Sequence, residues 1–451
     1  MEKKSSLKKE IGLLTATMLV AGNMIGSGIF MLPASLASIS GPGPTIMAWV
    51  ITGMGSIFVA LSYANLGSKF TKTGGPYEYP KIAFGEFVGF INAWLYWNAS
   101  WIGNAAIITT VSSYTGALIP SIANSPFLSF IYTSAVLWIF TIINIVGVKE
   151  ASFIQTAMTI FKIVLFVGFI IVSFFYFNPE YIAPAFPAGK GFSSMPAAMA
   201  CTLWAFTGLE SATVVAGEIH NPERNVKLST IMGIIIALVV YLCISVSAMG
   251  AMPQAELAKS SAPIVDIFSR FLGKGITKAI IVASVISVLG TTIGWIFATA
   301  RVAYAAGEDG IFPAVFSKVH PKHKTPVGSL IIGSVLINIL LLMNYSKSMI
   351  SAFNFVMLLA TLGYLPVYAF AAAADIKIML KEKKIVSKSK MIKKSIIPVL
   401  GIIYSIWATI GSGLEVCLYG LLLMVMGIPV YFYMKKKNKE KKDFEDIKKA
   451  V

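Results

Sequence analysis

Windows of about 20 predominantly apolar residues recur along nearly the whole chain, and each is long enough to carry a helix across roughly 30 Å of hydrocarbon. Twelve are read from the sequence, at 11–37, 45–66, 85–114, 125–147, 152–177, 195–217, 228–250, 277–304, 327–343, 349–373, 397–413 and 416–434. With 451 residues, 56% of them hydrophobic and only 13% charged, the chain is too apolar for a water-soluble protein of its size. The expected fold class is therefore an all-α membrane protein of twelve transmembrane helices. The first window is longer than the apolar core of a secretory signal and has no small-residue cleavage site after it, so it is expected to remain as a helix. The expected organisation is a tail at 1–10, a single membrane domain at 11–434 and a basic tail at 435–451.

A formal charge of +17 raises the question of nucleic acid, and the distribution of the charge answers it. If the N-terminus is cytoplasmic, 30 of the 37 Lys and Arg fall in segments on that side, six fall outside, and Lys162 stands within the membrane. That asymmetry implies cytoplasmic N- and C-termini in a cell membrane and no nucleic-acid partner. Three of the six outer charges lie in 251–276, read as a long outer loop with a short amphipathic helix. The lysine runs KKKNKEKK and KEKKIVSKSKMIKK are expected to be solvated segments beside anionic lipid.

Other chemistries find little support. Cys201, Cys243 and Cys417 sit in apolar segments without paired spacing, so neither a disulfide framework nor a zinc site is expected. The three histidines, His220, His320 and His323, fall in cytoplasmic loops, which leaves an intramembrane enzyme without its acid/base or metal ligands. No nucleotide-binding loop is present. No metal, cofactor or nucleotide is expected, and any energy must come from gradients.

Two windows are interrupted by residues that disfavour helix: the first by Gly26, Ser27 and Gly28 in GNMIGSGIF, the sixth by FTGLES at 206–211. They lie five windows apart. Paired interruptions at corresponding places in two halves point to a repeat with a binding site at mid-membrane. A broken helix frees amides and carbonyls that cost several kcal/mol each if unpaired in hydrocarbon, so such breaks persist where protein, water or ligand satisfies them. The N-terminal end of the second half-helix presents N–H groups and a positive dipole, which suits a substrate carboxylate. The alternative is that these glycines serve close helix packing.

With GNMIGSG, LWAFTGLESA (203–212), NPERNV (221–226) and EDGIFP (308–313) in this order, the chain resembles the amino acid/polyamine/organocation transporter superfamily over most of residues 8–435. Within it, the resemblance is nearest to bacterial basic amino acid and polyamine antiporters. It implies a five-plus-five inverted repeat, with repeats near 11–177 and 195–373, discontinuous first and sixth helices, extra helices at 397–434, alternating access and often a homodimer. It places the substrate's carboxylate and amino group at Asn23, Ile25, Gly26, Ser27 and Gly28, with the ammonium on carbonyls free around Trp204 and Thr207. Trp204 corresponds to the aromatic that closes over substrate and Trp295 to a middle gate, although packing or interfacial anchoring would also explain a tryptophan at either place.

In WLYWNASWIGN, residues Trp97, Trp101 and Asn104 recur at i, i+4 and i+7, with Ser100 one turn before Asn104. The resemblance assigns Tyr96, Ala99, Ser100, Trp101 and Asn104 to the wall around the substrate side chain; an aromatic packing stripe is the competing reading. In the tenth window the position expected to be serine falls at Leu359, Ala360 or Thr361, and an outer-gate tyrosine falls at Tyr364 or is missing.

Two ionisable groups stand apart. Glu210 directly follows the second interruption, where a carboxylate must be paired or protonated. It is a candidate proton carrier or gate, with Tyr96 its partner in the family pattern. Lys162 stands about ten residues, or roughly 15 Å, into the fifth window, too deep to snorkel. Proton-coupled, sodium-independent members of the superfamily carry such a lysine where sodium-coupled relatives hold the ion, and an ammonium there can bond the carbonyls freed by the first break. The expected function is sodium-independent exchange of a cationic amino acid or its amine, with proton-coupled transport of neutral amino acids as the alternative and a sensor or channel as a distant one.

Overall fold

The computed structural model describes residues 9–26, 28–260, 262–344, 349–381, 388–411 and 414–450. The first half is built from α1 (Leu13–Met24), α2 (Gly28–Ile39), α3 (Pro42–Lys69), α4 (Gly75–Phe84), α5 (Glu86–Gly116), α6 (Pro120–Asn124), α7 (Pro126–Val146) and α8 (Val148–Phe175). The second contains α9 (Met195–Ala205), α10 (Ser211–Val214), α11 (Pro222–Ala251), α12 (Gln254–Leu257), α13 (Pro263–Leu272), α14 (Lys274–Glu308), α15 (Val327–Asn344) and α16 (Met349–Lys381). Helices α17 (Lys388–Gly411) and α18 (Leu414–Ala450) follow. Among the described residues there is no strand, only a single bridge from Ile11 to Ile219.

Helices suit these sequences because hydrocarbon offers no partner for a bare amide, and only a helix satisfies every backbone group within one segment. Nine helical spans among the described residues are long and apolar enough to cross a bilayer. Each of the twelve sequence windows coincides with helix, but three fall outside that set. Helix α5 is diluted by Asn92, Asn98, Ser100 and Asn104; the sixth window is divided into α9 and α10; and α15 contributes only the shorter apolar stretch Val327–Met343.

The polarity of the bundle is reversed from that of a water-soluble protein. Phe153, Phe174 and Ile410 are each at least 70% exposed, whereas Lys162, Glu210, Glu218 and Arg301 are completely buried. An apolar exterior with the charged groups enclosed is what lipid selects and water penalises. The amphipathic helix expected in 251–276 is α13, which buries Ile264, Val265, Ile267 and Phe268 and leaves Arg270 to pair with Glu256.

Arg301, one of the residues counted with the inner-side charges, lies within α14, which runs to Glu308, and its guanidinium is buried against Glu218. The basic segment from residue 435 is helical, because α18 continues unbroken from the apolar window through Ala450. Residues 382–387 of the other lysine run lie outside the described residues.

Candidate functional site

The first interruption separates α1 from α2. The Ile25 amide still closes on the Ala21 carbonyl at 2.7 Å and the Gly26 amide on Met24 at 2.6 Å, after which the chain restarts as helix at Gly28. Ser27 lies outside the described residues. The carbonyls of Gly22 and Ile25, which a continuous helix would have used, instead accept from the Lys162 ammonium at 3.2 and 2.6 Å. The same ammonium donates to Thr291 Oγ1 at 2.5 Å, and the Thr291 hydroxyl also reaches the Gly22 carbonyl at 3.2 Å. A lysine from α8 and a threonine from α14 thus satisfy the opened backbone, and the buried cation is compensated by three oxygen acceptors.

The second interruption lies between α9 and α10. Gly208 takes φ +100°, a left-handed conformation that disfavours side chains. The turn is bonded internally, with Thr207 N–H and Oγ1 donating to the Trp204 carbonyl at 3.1 and 2.8 Å. The Trp204 carbonyl, expected to be free, is therefore already occupied by its own turn. At the end of the break Glu210 receives Tyr96 Oη at 2.8 Å on Oε1 and Tyr368 Oη at 2.9 Å on Oε2. Two phenols from α5 and α16 answer both oxygens of one buried carboxylate.

Asn23 ties the two interruptions together. Its amide donates to Ser211 Oγ at 2.9 Å, its Oδ1 accepts from Gln155 at 3.3 Å, and its main-chain oxygen accepts from the Trp295 indole at 3.0 Å. The Trp204 ring closes the space between: a Cβ added at Gly28 would lie 3.1 Å from Trp204 Cδ1, and one added at Gly103 would lie 2.8 Å from Cη2. Glycine at both places lets the indole wedge between the start of α2 and the middle of α5. Tyr364 completes the group, donating to Ser100 Oγ at 2.9 Å and packing edge-to-face on Tyr96, with Trp295 on its other side.

The structure therefore brings together Asn23, Ile25, Gly26, Gly28, Tyr96, Ser100, Lys162, Trp204, Thr207, Glu210 and Trp295. Trp97 packs on Phe312 and Phe316, and the Trp101 indole bonds Asn98 Oδ1 on its own helix at 3.1 Å. Ala99 packs on Gly363 of α16. Asn104 faces α14, donating to Thr299 Oγ1 at 3.3 Å. In the tenth window Ala360 is the residue beside Gly103. Sequence reasoning missed Gln155, Thr291 and Tyr368: a threonine or tyrosine inside an apolar helix gives no signal until the helix opposite is known.

Below this group a second set of polar contacts gathers. The buried Glu218 and Arg301 pair at 3.0 Å, and the Glu218 carbonyl accepts the Glu10 and Ile11 amides at 3.0 Å each, which fastens the segment preceding α1. Asp309 accepts from Lys72, Lys81 and Tyr77. Burial raises the Asp309 carboxyl, but the bonds from Lys72, Lys81 and Tyr77 outweigh it and hold the group down to about 2.

Two interrupted helices, cross-linked by buried polar side chains within an apolar exterior, define a multi-pass membrane protein of the transporter kind. The profile of the amino acid permease family matches residues 11–441, so the chain belongs to that family, within its basic amino acid and polyamine antiporter branch. Over 96% of its length it is 32% identical to 99% of a putative arginine/ornithine antiporter of Bacillus subtilis (strain 168). Over 100% of its length it is 31% identical to 95% of an arginine/agmatine antiporter of Chlamydia pneumoniae. A putrescine transporter, PotE, of Escherichia coli (strain K12) is 32% identical over 94% of this chain and 95% of its own.

Proposed function

We propose that this chain is a sodium-independent secondary transporter that exchanges a cationic amino acid for its decarboxylated amine, of the arginine/agmatine, ornithine/putrescine or lysine/cadaverine type. The observation that carries the sodium-independence is the Lys162 ammonium on the Gly22 and Ile25 carbonyls. A fixed cation on those oxygens leaves no reason for a mobile one. The names of the relatives, arginine/ornithine and arginine/agmatine antiporters and a putrescine transporter, support the substrate class.

In this reading the substrate carboxylate meets amides at the start of α2, and its aliphatic stem lies against the Trp204 ring. Two hydrogen bonds from Thr207 fill the Trp204 carbonyl, so an ammonium binding there displaces the hydroxyl. Trp204 and Trp295 act as closing rings, Tyr364 as an outer one, and Tyr96–Glu210–Tyr368 as a polar bolt whose protonation and release accompany the change of access. The twelve helices form two inverted five-helix repeats plus two, with both termini cytoplasmic in the cell membrane, and the protein assembles as a homodimer.

The test is counterflow into proteoliposomes preloaded with unlabelled substrate, with arginine, ornithine, lysine, putrescine and a panel of neutral amino acids offered at acidic and neutral pH. Preference for cations, lost in Trp204→Leu and Glu210→Ala, is the expected result. Preference for neutral amino acids driven by external acid would replace this reading with proton-coupled neutral transport. Absence of saturable counterflow for every compound would overturn transport itself.

A further inference from the structure

The end of the bundle that carries most of the Lys and Arg holds a cavity of about 390 Å³ between α3, α11, α16 and α17, away from both interruptions. Three lysines from three different helices line it: Lys69 at the end of α3, Lys227 near the start of α11 and Lys394 in α17. One acid is present, Asp375, and it is engaged by the Asn65 amide at 2.5 Å. Three cations against one anion leave the cavity net positive. Its remaining walls, among them Leu61, Met379 and Ile397, are apolar.

The cavity does not stand alone. Along the same seam, deeper toward the middle of the two helices, α3 and α17 form an open groove of about 340 Å³ lined by Ile51, Met54, Phe58, Leu400, Ile403 and Trp407. Met54, Ile403 and Trp407 are 54%, 57% and 42% exposed. From Lys69 to Met54 along α3, and from Lys394 to Trp407 along α17, the rise is about 20 Å at 1.5 Å per residue. That is a headgroup zone plus roughly the 15 Å depth of one leaflet.

From this arrangement we propose that the α3–α17 seam is a binding site for an anionic phospholipid, its phosphate held by Lys227 and Lys394 at the mouth of the cavity and one acyl chain laid along the groove. The chemistry selects this occupant over others. A zwitterionic lipid brings its own cation into a positive cavity, inorganic phosphate cannot use the apolar groove, and a second copy of this chain would set like charges against each other. An acyl chain in the groove also covers apolar side chains that line the seam, and it bridges α3, which packs against α9, to the extra helix α17.

Native mass spectrometry of the purified full-length chain tests the site. Long-chain phosphatidylglycerol, dihexanoyl phosphatidylglycerol, phosphatidylcholine and inorganic phosphate are each added to delipidated protein. Long-chain phosphatidylglycerol is expected to be retained most tightly, and the short-chain form less. Lys227→Gln and Lys394→Gln, both exposed lysines, are each expected to weaken retention about fivefold, and the double variant about twenty-five-fold. Lys436→Gln, on the exposed part of α18, is expected to change nothing, and a monodisperse gel-filtration profile shows that each variant is folded. Equal retention of phosphatidylcholine, unchanged affinity in the double variant, or displacement of the lipid by inorganic phosphate would each overturn the proposal. So would a dimer that carries no lipid and protects Ile403 and Trp407.

Discussion

Replacing Arg301 exposes how the inner end of the bundle is held. Arg301 Nε and Glu218 Oε1 are 3.0 Å apart with both side chains wholly buried. At an effective dielectric constant of about 20, two unit charges at that distance attract by about 5 to 6 kcal/mol. Desolvating each ion costs several kcal/mol, so the intact pair is close to neutral against an apolar replacement. Removing one partner is another matter, because the remaining charge keeps its desolvation cost without its attraction. Arg301→Met and Glu218→Gln should each lower stability by about 3 to 5 kcal/mol. Arg301→Met should be the more severe, since the guanidinium also sits 3.6 Å over the Phe297 ring. The contact is single rather than forked: Arg301 Nη2 and Glu218 Oε2 make no hydrogen bond among the described residues. The double variant should therefore be no less stable than either single variant, which corresponds to a coupling energy of about 3 kcal/mol or more in a double-mutant cycle. Equilibrium unfolding in mixed micelles reads all four proteins. If the two single effects simply add in the double variant, the pair is not interacting as described and the reasoning fails.

Lys162→Met removes the donor shared by the Gly22 and Ile25 carbonyls, and should cost about 2 to 4 kcal/mol in the same unfolding measurement after relief of the buried charge. Tyr368→Phe leaves Glu210 Oε2 without its 2.9 Å donor and should cost about 1 to 3 kcal/mol, whereas removing a phenol that made no such bond would cost far less. Thr207→Val frees one lone pair of the Trp204 carbonyl, and should tighten substrate binding measured by calorimetry or scintillation proximity; weaker binding would argue that the hydroxyl itself touches substrate. Asp309 has a folded value near 2 against an ordinary 3.8, so its ion pairs contribute stability at and above the ordinary value, and that contribution is lost as pH falls through about 2. Asp309→Asn should thus cost up to about 2 kcal/mol at neutral pH, and the difference from the unsubstituted protein should close between about pH 4 and about pH 2.

The amino-acid sequence made the membrane character, both interruptions and the depth of Lys162 legible, because each rests on a local property: run length, glycine clustering, or a charge surrounded by apolar residues. The Tyr96–Glu210 contact was legible only through the family pattern. What local sequence could not show is which face of each helix turns inward. Trp97, Trp101 and Asn104 share a helical face by spacing, yet α5 is buried on most of its circumference, so Tyr96, Ser100 and Gly103 meet α16 and Trp204 while Trp97 meets Phe312 and Phe316. Gln155 and Thr291 look like ordinary polar residues of membrane helices until α8 and α14 are set beside the first break. The burial of Arg301 was not legible, because its partner Glu218 lies 83 positions away.

The most direct measurement is the rate of labelled arginine or putrescine counterflow when every sodium ion on both sides of the proteoliposome membrane is replaced by N-methylglucamine. An unchanged rate is predicted, since the ammonium of Lys162 already occupies the oxygens that a coupling cation would need. A rate that collapses on replacement and returns when sodium is restored would contradict the account.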